Sequence, residues 1–273
     1  MQRAGISLTM IYALSAITAL IIICFLLRKK KGAELVPDQQ VQEGTRPLLQ
    51  EHVAFYRRLD TVAQEKFLVM TEEFLRDIHI EGVGTEISVK DKVLIASSAV
   101  IPVFYFPGWR YTNLTNVILY PDTFNSGFKF EGDDRNVLGM VGSGYMNGQM
   151  LLSRTALEKG FSASGGKDNA AVHEFVHLVD MTDGVTDGVP GVVLAEESTR
   201  PWLRMMHAEM KRIERGHSDI NPYALTNEAE FLAVAAEYFF GKPEQFAHKH
   251  PELYQELNTI FNQTKPAAGN TEM

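Results

Sequence analysis

The chain opens on an unbroken run of 24 uncharged residues, 4–27, rich in Ile, Leu, Ala and Phe and without the one-sided periodicity of a surface helix. As a helix this run spans ~36 Å, enough to cross a hydrocarbon core of ~30 Å with some tilt. It ends at Arg28-Lys29-Lys30-Lys31, while only Arg3 and the amino terminus precede it. A cleaved signal peptide would have a shorter apolar core, a more basic start and small residues at a cleavage site. The pattern therefore predicts one transmembrane helix over 4–27. The basic flank predicts a single-pass protein of the cell inner membrane with its C-terminal domain in the cytoplasm. Residues 28–50 then read as a basic stop and a polar linker, with Pro37, Gly44 and Pro47.

From residue 51 to about 265 the pattern is that of one folded domain, and 266–273 reads as a flexible tail. Thr61 with Gln64 resembles a capping box, and Ala63, Phe67, Met70, Phe74 and Ile78 recur behind it at helical spacing. Ser88 with Asp91 repeats the signal ahead of Val93, Leu94 and Ala99. Between Val103 and Ser153 the texture turns β-rich, with predicted strands at Val103–Phe106, Val117–Tyr120 and Gln149–Ser153. Gly139–Gly148 lacks the third glycine of a phosphate-binding fingerprint and follows no βαβ pattern, so it reads as a loop or bulge. After residue 168 the chain is helical to about 262.

Charge and composition narrow the chemistry. The formal net charge is −8, and residues 32–273 carry 21 basic against 34 acidic residues. A broad basic surface for nucleic acid is excluded. With one cysteine, Cys24, neither a disulfide scaffold nor a cysteine metal site is available.

His173-Glu174-Phe175-Val176-His177 is an H-E-x-x-H motif. Asp168 or Asn169 can cap a helix starting before it, and Val172, Val176 and Val179 give that helix an apolar stripe. His173 and His177 stand one turn apart, with Cβ atoms ~5–6 Å from each other, so both imidazoles can reach one zinc ion. Glu174 lies beside them, placed to take a proton from water and not to bind the metal. A catalytic zinc needs a third ligand. Asp183, Glu196, Glu197 and Glu230 are all available, and spacing alone leans towards Glu196 or Glu197, which lie 19 and 20 residues after His177.

Longer stretches resemble the Mlc titration factor A family of bacterial zinc-dependent metallopeptidases. These are His173–Asp180, Asp187-Gly188-Val189-Pro190, Tyr223-Ala224, and Glu230, Phe231, Ala233, Val234, Glu237, Tyr238, Phe239 and Phe240, with Asp91–Ala96 and Tyr120-Pro121 as earlier echoes. The core is also similar to the protease domain of anthrax lethal factor. The resemblance implies His173, His177 and Glu230 as zinc ligands, Glu174 as general base and Tyr223 as a hydrogen-bond donor to the transition state. It implies an α+β fold, a mostly helical zincin-like metallopeptidase domain with a small mixed or antiparallel sheet. The activity implied is peptide-bond hydrolysis, aminopeptidase cleavage among its forms, on a peptide or protein substrate. Gln149–Ser153 is then expected to be an edge strand for substrate. The family name also implies sequestration of a transcriptional repressor, which a membrane-tethered binding protein could perform without proteolysis. Asp180 can hydrogen-bond a ligand histidine or cap the helix end, Glu237 can support the site or pair with a base, and His248 and His250 are expected in solvent.

Overall fold

The computed structural model describes residues 39–124, 137–141, 148–162, 166–191, 194 and 196–262. The predicted membrane helix 4–27, the basic stop and the tail 266–273 lie outside the described residues. Among the described residues no helix is long and apolar enough to cross a membrane.

Ten α-helices and four strands are described, and two helices are apolar on nearly every side. Helix α1 (Gln39–His52), a short α2 (Ala54–Arg57) and α3 (Thr61–Asp77) lead into strand β1 (His79–Gly82) and helix α4 (Val89–Val103). Strands β2 (Leu114–Tyr120), β3 (Gly139–Val141) and β4 (Gly148–Ser153) follow, and β4 runs directly into α5 (Arg154–Phe161). The second half holds α6 (Ala170–Asp180), α7 (Glu196–Glu214), α8 (Glu228–Gly241), α9 (Pro243–Lys249) and α10 (Pro251–Phe261). Buried side chains run from Val93 to Val103 in α4 and from Phe231 to Phe240 in α8. Such all-round apolarity belongs to central helices, and α6 packs against both of them. Phe175 of α6 meets the rings of Phe74 and Tyr111 at 5.6 and 5.3 Å.

The sheet is mixed, in the order β1-β2-β4-β3, with β1, β2 and β4 parallel and β3 antiparallel to β4. Alternation along β2 sends Val117 and Leu119 into the main core, while Ile118 and Tyr120 join Leu151, Phe124 and Met140 on the opposite face. The small mixed sheet and the helical majority agree with the α+β expectation.

Several expectations are corrected. The stretch 32–50 is helical from Gln39 onward, because Leu49 is buried in the core and that packing outweighs Gly44 and Pro47. The cap of α3 is Asp60, whose side chain accepts from the Ala63 N–H, so the start lies one residue earlier than the Thr61–Gln64 pattern suggests. The Ser88–Asp91 capping box forms as read. Val103–Phe106 is no strand: α4 ends at Val103 and a turn follows, closed by Phe106 N–H on the Val103 carbonyl. Its apolar residues serve burial, with Phe104 against Phe55 and Phe67 at 5.7 Å each. Part of the glycine-rich segment read as a loop is strand β3. Gln149–Ser153 is an interior strand, since β4 is bonded to β2 on one side and β3 on the other; among the described strands β3 lies at the edge.

His250 is the last correction. It is 4% exposed, with Nε2 2.8 Å from Asp219 Oδ1 and Nδ1 3.1 Å from Glu209 Oε1. Asp219 also accepts from Lys167, Lys249 and the Tyr238 hydroxyl, so one carboxylate draws four side chains together. His248 is exposed, as expected.

Candidate metal centre

Helix α6 starts where Asn169 accepts from the Val172 N–H and ends in a short 3-10 turn closed by Gly184 in the left-handed region, φ 96°. All residues of the motif except His177 are buried. The second element is the segment Asn221–Glu230. Asn221 caps a 3-10 turn (Pro222–Leu225) carrying Tyr223, and Asn227 then caps α8 by accepting from the Glu230 N–H. Two Asn caps, six residues apart in sequence, thus deliver Tyr223 and Glu230 from one short stretch.

Three donor atoms converge. His173 Nε2 lies 2.8 Å from Glu230 Oε2 and 3.1 Å from His177 Nε2, and the remaining edge, His177 Nε2 to Glu230 Oε2, is 3.5 Å. Ligands ~2.0–2.1 Å from a tetrahedral ion stand ~3.4 Å apart, so this triangle is close to the size an ion requires. Among the described residues His173, His177 and Glu230 form the one group of His, Cys, Asp and Glu whose ligand atoms approach one another closely enough to hold a metal. Asp183 instead accepts from the N–H groups of Val185 and Gly191 and shapes its own loop. Glu230 is brought across from α8 to the two histidines, while the side chains of Glu196 and Glu197, towards which spacing leans, lie outside the described residues.

The electrostatics fit a cation. His173 Nδ1 lies 2.8 Å from Glu237 Oε1, and a carboxylate only accepts, so Nδ1 carries a proton and Nε2 faces the site. Glu237 also accepts from the Asn169 N–H, which joins the cap of the motif helix to the same carboxylate. Burial works against a charged His173, but Glu230 and Glu237 outweigh it and raise its pKa. Burial pushes the Glu230 carboxyl up, and the two histidines more than offset this, holding it well below the usual range.

Glu174 is 8% exposed, and burial first, with Glu230 and Glu237 adding to it, raises its pKa against the opposing pull of the two histidines. A poised carboxyl of this kind suits a general base. The edge strand presses on it: a Cβ at Gly139 would lie 2.7 Å from Glu174 Cγ and 2.9 Å from Oε1. Only glycine leaves that space, and no signal in the sequence marks Gly139 for this role. The Tyr223 ring lies 6.0 Å from the His173 ring and is 53% exposed. Asp180 hydrogen-bonds neither His173 nor His177; its Oδ2 accepts from the Gly188 N–H.

Comparison with known proteins agrees with this geometry. Residues 26–262 match the family described as glucose-regulated metallo-peptidase M90. Proteins named Mlc titration factor A are similar over most of their length. The one from Escherichia fergusonii is 29% identical over 222 residues, covering 75% of this chain and 81% of that protein. The one from Cronobacter sakazakii is 29% identical over 217 residues, covering 73% and 79%. That from Salmonella arizonae is 26% identical over 244 residues, covering 82% and 94%. With a match running from residue 26 to residue 262, the chain belongs to the M90 metallo-peptidase family, and its two histidines and one glutamate lie close enough together to hold an ion.

Proposed function

We propose that this chain is a zinc-dependent peptidase in which His173, His177 and Glu230 hold the ion and Glu174 is the general base. The observation that carries this reading is the convergence of two imidazole nitrogens and one carboxylate oxygen beside a second, buried carboxyl group, Glu174. An N2O donor set of this kind suits zinc. When bound by these residues, such an ion would supply Lewis acidity towards water and a carbonyl oxygen.

The remaining work falls to the chain. Glu174 takes the proton of the attacking water and passes it to the leaving amine. Glu237 keeps His173 in the tautomer that presents Nε2. The Tyr223 hydroxyl donates to the oxyanion that develops at the scissile carbonyl. Strand β3, at the edge of the sheet and against Glu174, takes the extended backbone of a peptide substrate. Residues 4–27 tether the domain to the inner membrane, with the domain on the cytoplasmic side.

A second reading draws on the relatives' name, Mlc titration factor A: the domain titrates a transcriptional regulator at the membrane without cleaving it. Digestion of a peptide library by the full-length chain and by Glu174→Gln separates the two. A peptidase loses most turnover in Glu174→Gln while keeping its metal. Equal digestion by both chains contradicts the assignment of the base, and no digestion by either favours titration.

A further inference from the structure

The loop after the motif helix reaches back to the turn that carries Glu230. The backbone of Gly188 is held at both its polar groups. Its N–H donates to Asp180 Oδ2 at 2.8 Å, and its carbonyl accepts from Trp202 Nε1 at 2.8 Å. Asp180 is the last residue of α6, Trp202 belongs to α7, and both are fully buried. The other Asp180 oxygen, Oδ1, is buried without a hydrogen-bond partner. Such an atom costs roughly 1–3 kcal/mol, and the hydrogen bond that the same carboxylate makes to Gly188 offsets part of that cost.

Gly188 has φ +75°, and a Cβ there would lie 2.3 Å from the carbonyl oxygen of Glu228 and 2.6 Å from its carbon. The loop therefore lies directly on the first turn of α8, at a distance no side chain allows. Glu230 stands in that same turn, two residues on. Trp202 touches both partners, since its ring also lies 6.1 Å from that of Phe231.

We infer that Gly188, gripped by Asp180 and Trp202, is the spacer that sets how far Glu230 reaches towards His173 and His177. This rests on the metal-centre reading above. The end of the helix bearing two ligands and the start of the helix bearing the third are held apart by one residue's backbone thickness. Asp180 and Trp202 are positioning residues: they touch no ligand atom and act through Gly188. A metal site tolerates ligand displacements of only ~0.2 Å, so added bulk at 188 acts on the ion through Glu230.

The test is zinc affinity of the full-length chain, measured by competition with a chelator, together with the visible absorption of the cobalt(II)-loaded chain. Gly188→Ala is expected to weaken zinc binding roughly 10–100-fold. Its cobalt spectrum is expected to shift towards that of Glu230→Ala, a change that loosened packing elsewhere would not produce. Trp202→Phe keeps the ring against Phe231 and loses the N–H donor, so it decides the matter if Gly188→Ala fails to fold; it is expected to shift affinity and spectrum the same way by less. Asp180→Asn, which keeps an acceptor oxygen, is expected to bind close to wild type, and Asp180→Leu is not. A folded Gly188→Ala or Trp202→Phe with wild-type affinity and spectrum overturns the spacer role. A wild-type chain that binds neither metal overturns the metal centre itself.

Discussion

Glu237 Oε1 lies 2.8 Å from His173 Nδ1, two helical turns along α8 from Glu230, which approaches Nε2 of the same ring. One helix thus grips the imidazole from both ends. Removing the outer grip frees the ring to rotate and to change tautomer. Glu237→Ala is expected to lower zinc affinity roughly 10–100-fold, and Glu237→Gln by less, because its amide oxygen still accepts from Nδ1. Chelator competition on the two variants checks this; equal, wild-type affinities would remove Glu237 from the account.

Gly139 faces Glu174 too closely for any Cβ. In Gly139→Ala either β3 retreats or the carboxyl moves. A displacement of about 1 Å at a reacting group costs on the order of 100-fold in rate. The expected result is a kcat lowered by that order with zinc content unchanged. Full activity in Gly139→Ala would mean that Glu174 has room to spare.

Tyr223 meets His173 only through its ring, and its hydroxyl is the part proposed to act. Tyr223→Phe is expected to lower turnover roughly 10–1000-fold while leaving zinc content unchanged. Unimpaired turnover would leave the side chain with packing alone.

How much of this is legible in the sequence depends on the distance over which each feature is decided. The motif helix is local: an Asn cap, an apolar stripe and two histidines one turn apart specify it, and the structure follows. Tyr223 and Glu230 are likewise set by two nearby caps. What no spacing could reveal is the approach of Glu230 to the two histidines, because 53 residues separate it from His177 and the packing of α8 on α6 closes the gap. The edge strand is hidden from the sequence for a similar reason. Gly139–Val141 is short and partly glycine, with no alternation to announce it, and its pairing with β4 comes from the sheet. Lys249 and Pro251 beside it suggest solvent for His250, yet Asp219 and Glu209, 31 and 41 residues earlier, pair with it in the interior.

That buried histidine gives a pH dependence remote from the metal. Burial disfavours its charged form, but Glu209 and Asp219 outweigh this and raise its pKa above 6.5. A raised folded pKa contributes stability that is fully present below about pH 6.5 and is lost as pH rises through the folded value. Asp219 behaves oppositely. Burial pushes its carboxyl up, and Lys167, Lys249, His250 and Tyr238 pull it far below 3.8, so its contribution is lost only as pH falls through that depressed value. The Tm difference between wild type and His250→Gln is therefore expected to be largest near pH 6 and to shrink towards pH 9 (both roughly). A difference that grows with pH would contradict the pairing.

The most direct measurement is the metal content of the purified full-length chain, by elemental analysis, beside His177→Ala and Glu230→Ala. The account predicts about one zinc per wild-type chain and a large loss in both variants. Zinc retained at the wild-type level in both variants, or no divalent metal in the wild type under conditions that spare bound ions, would contradict it.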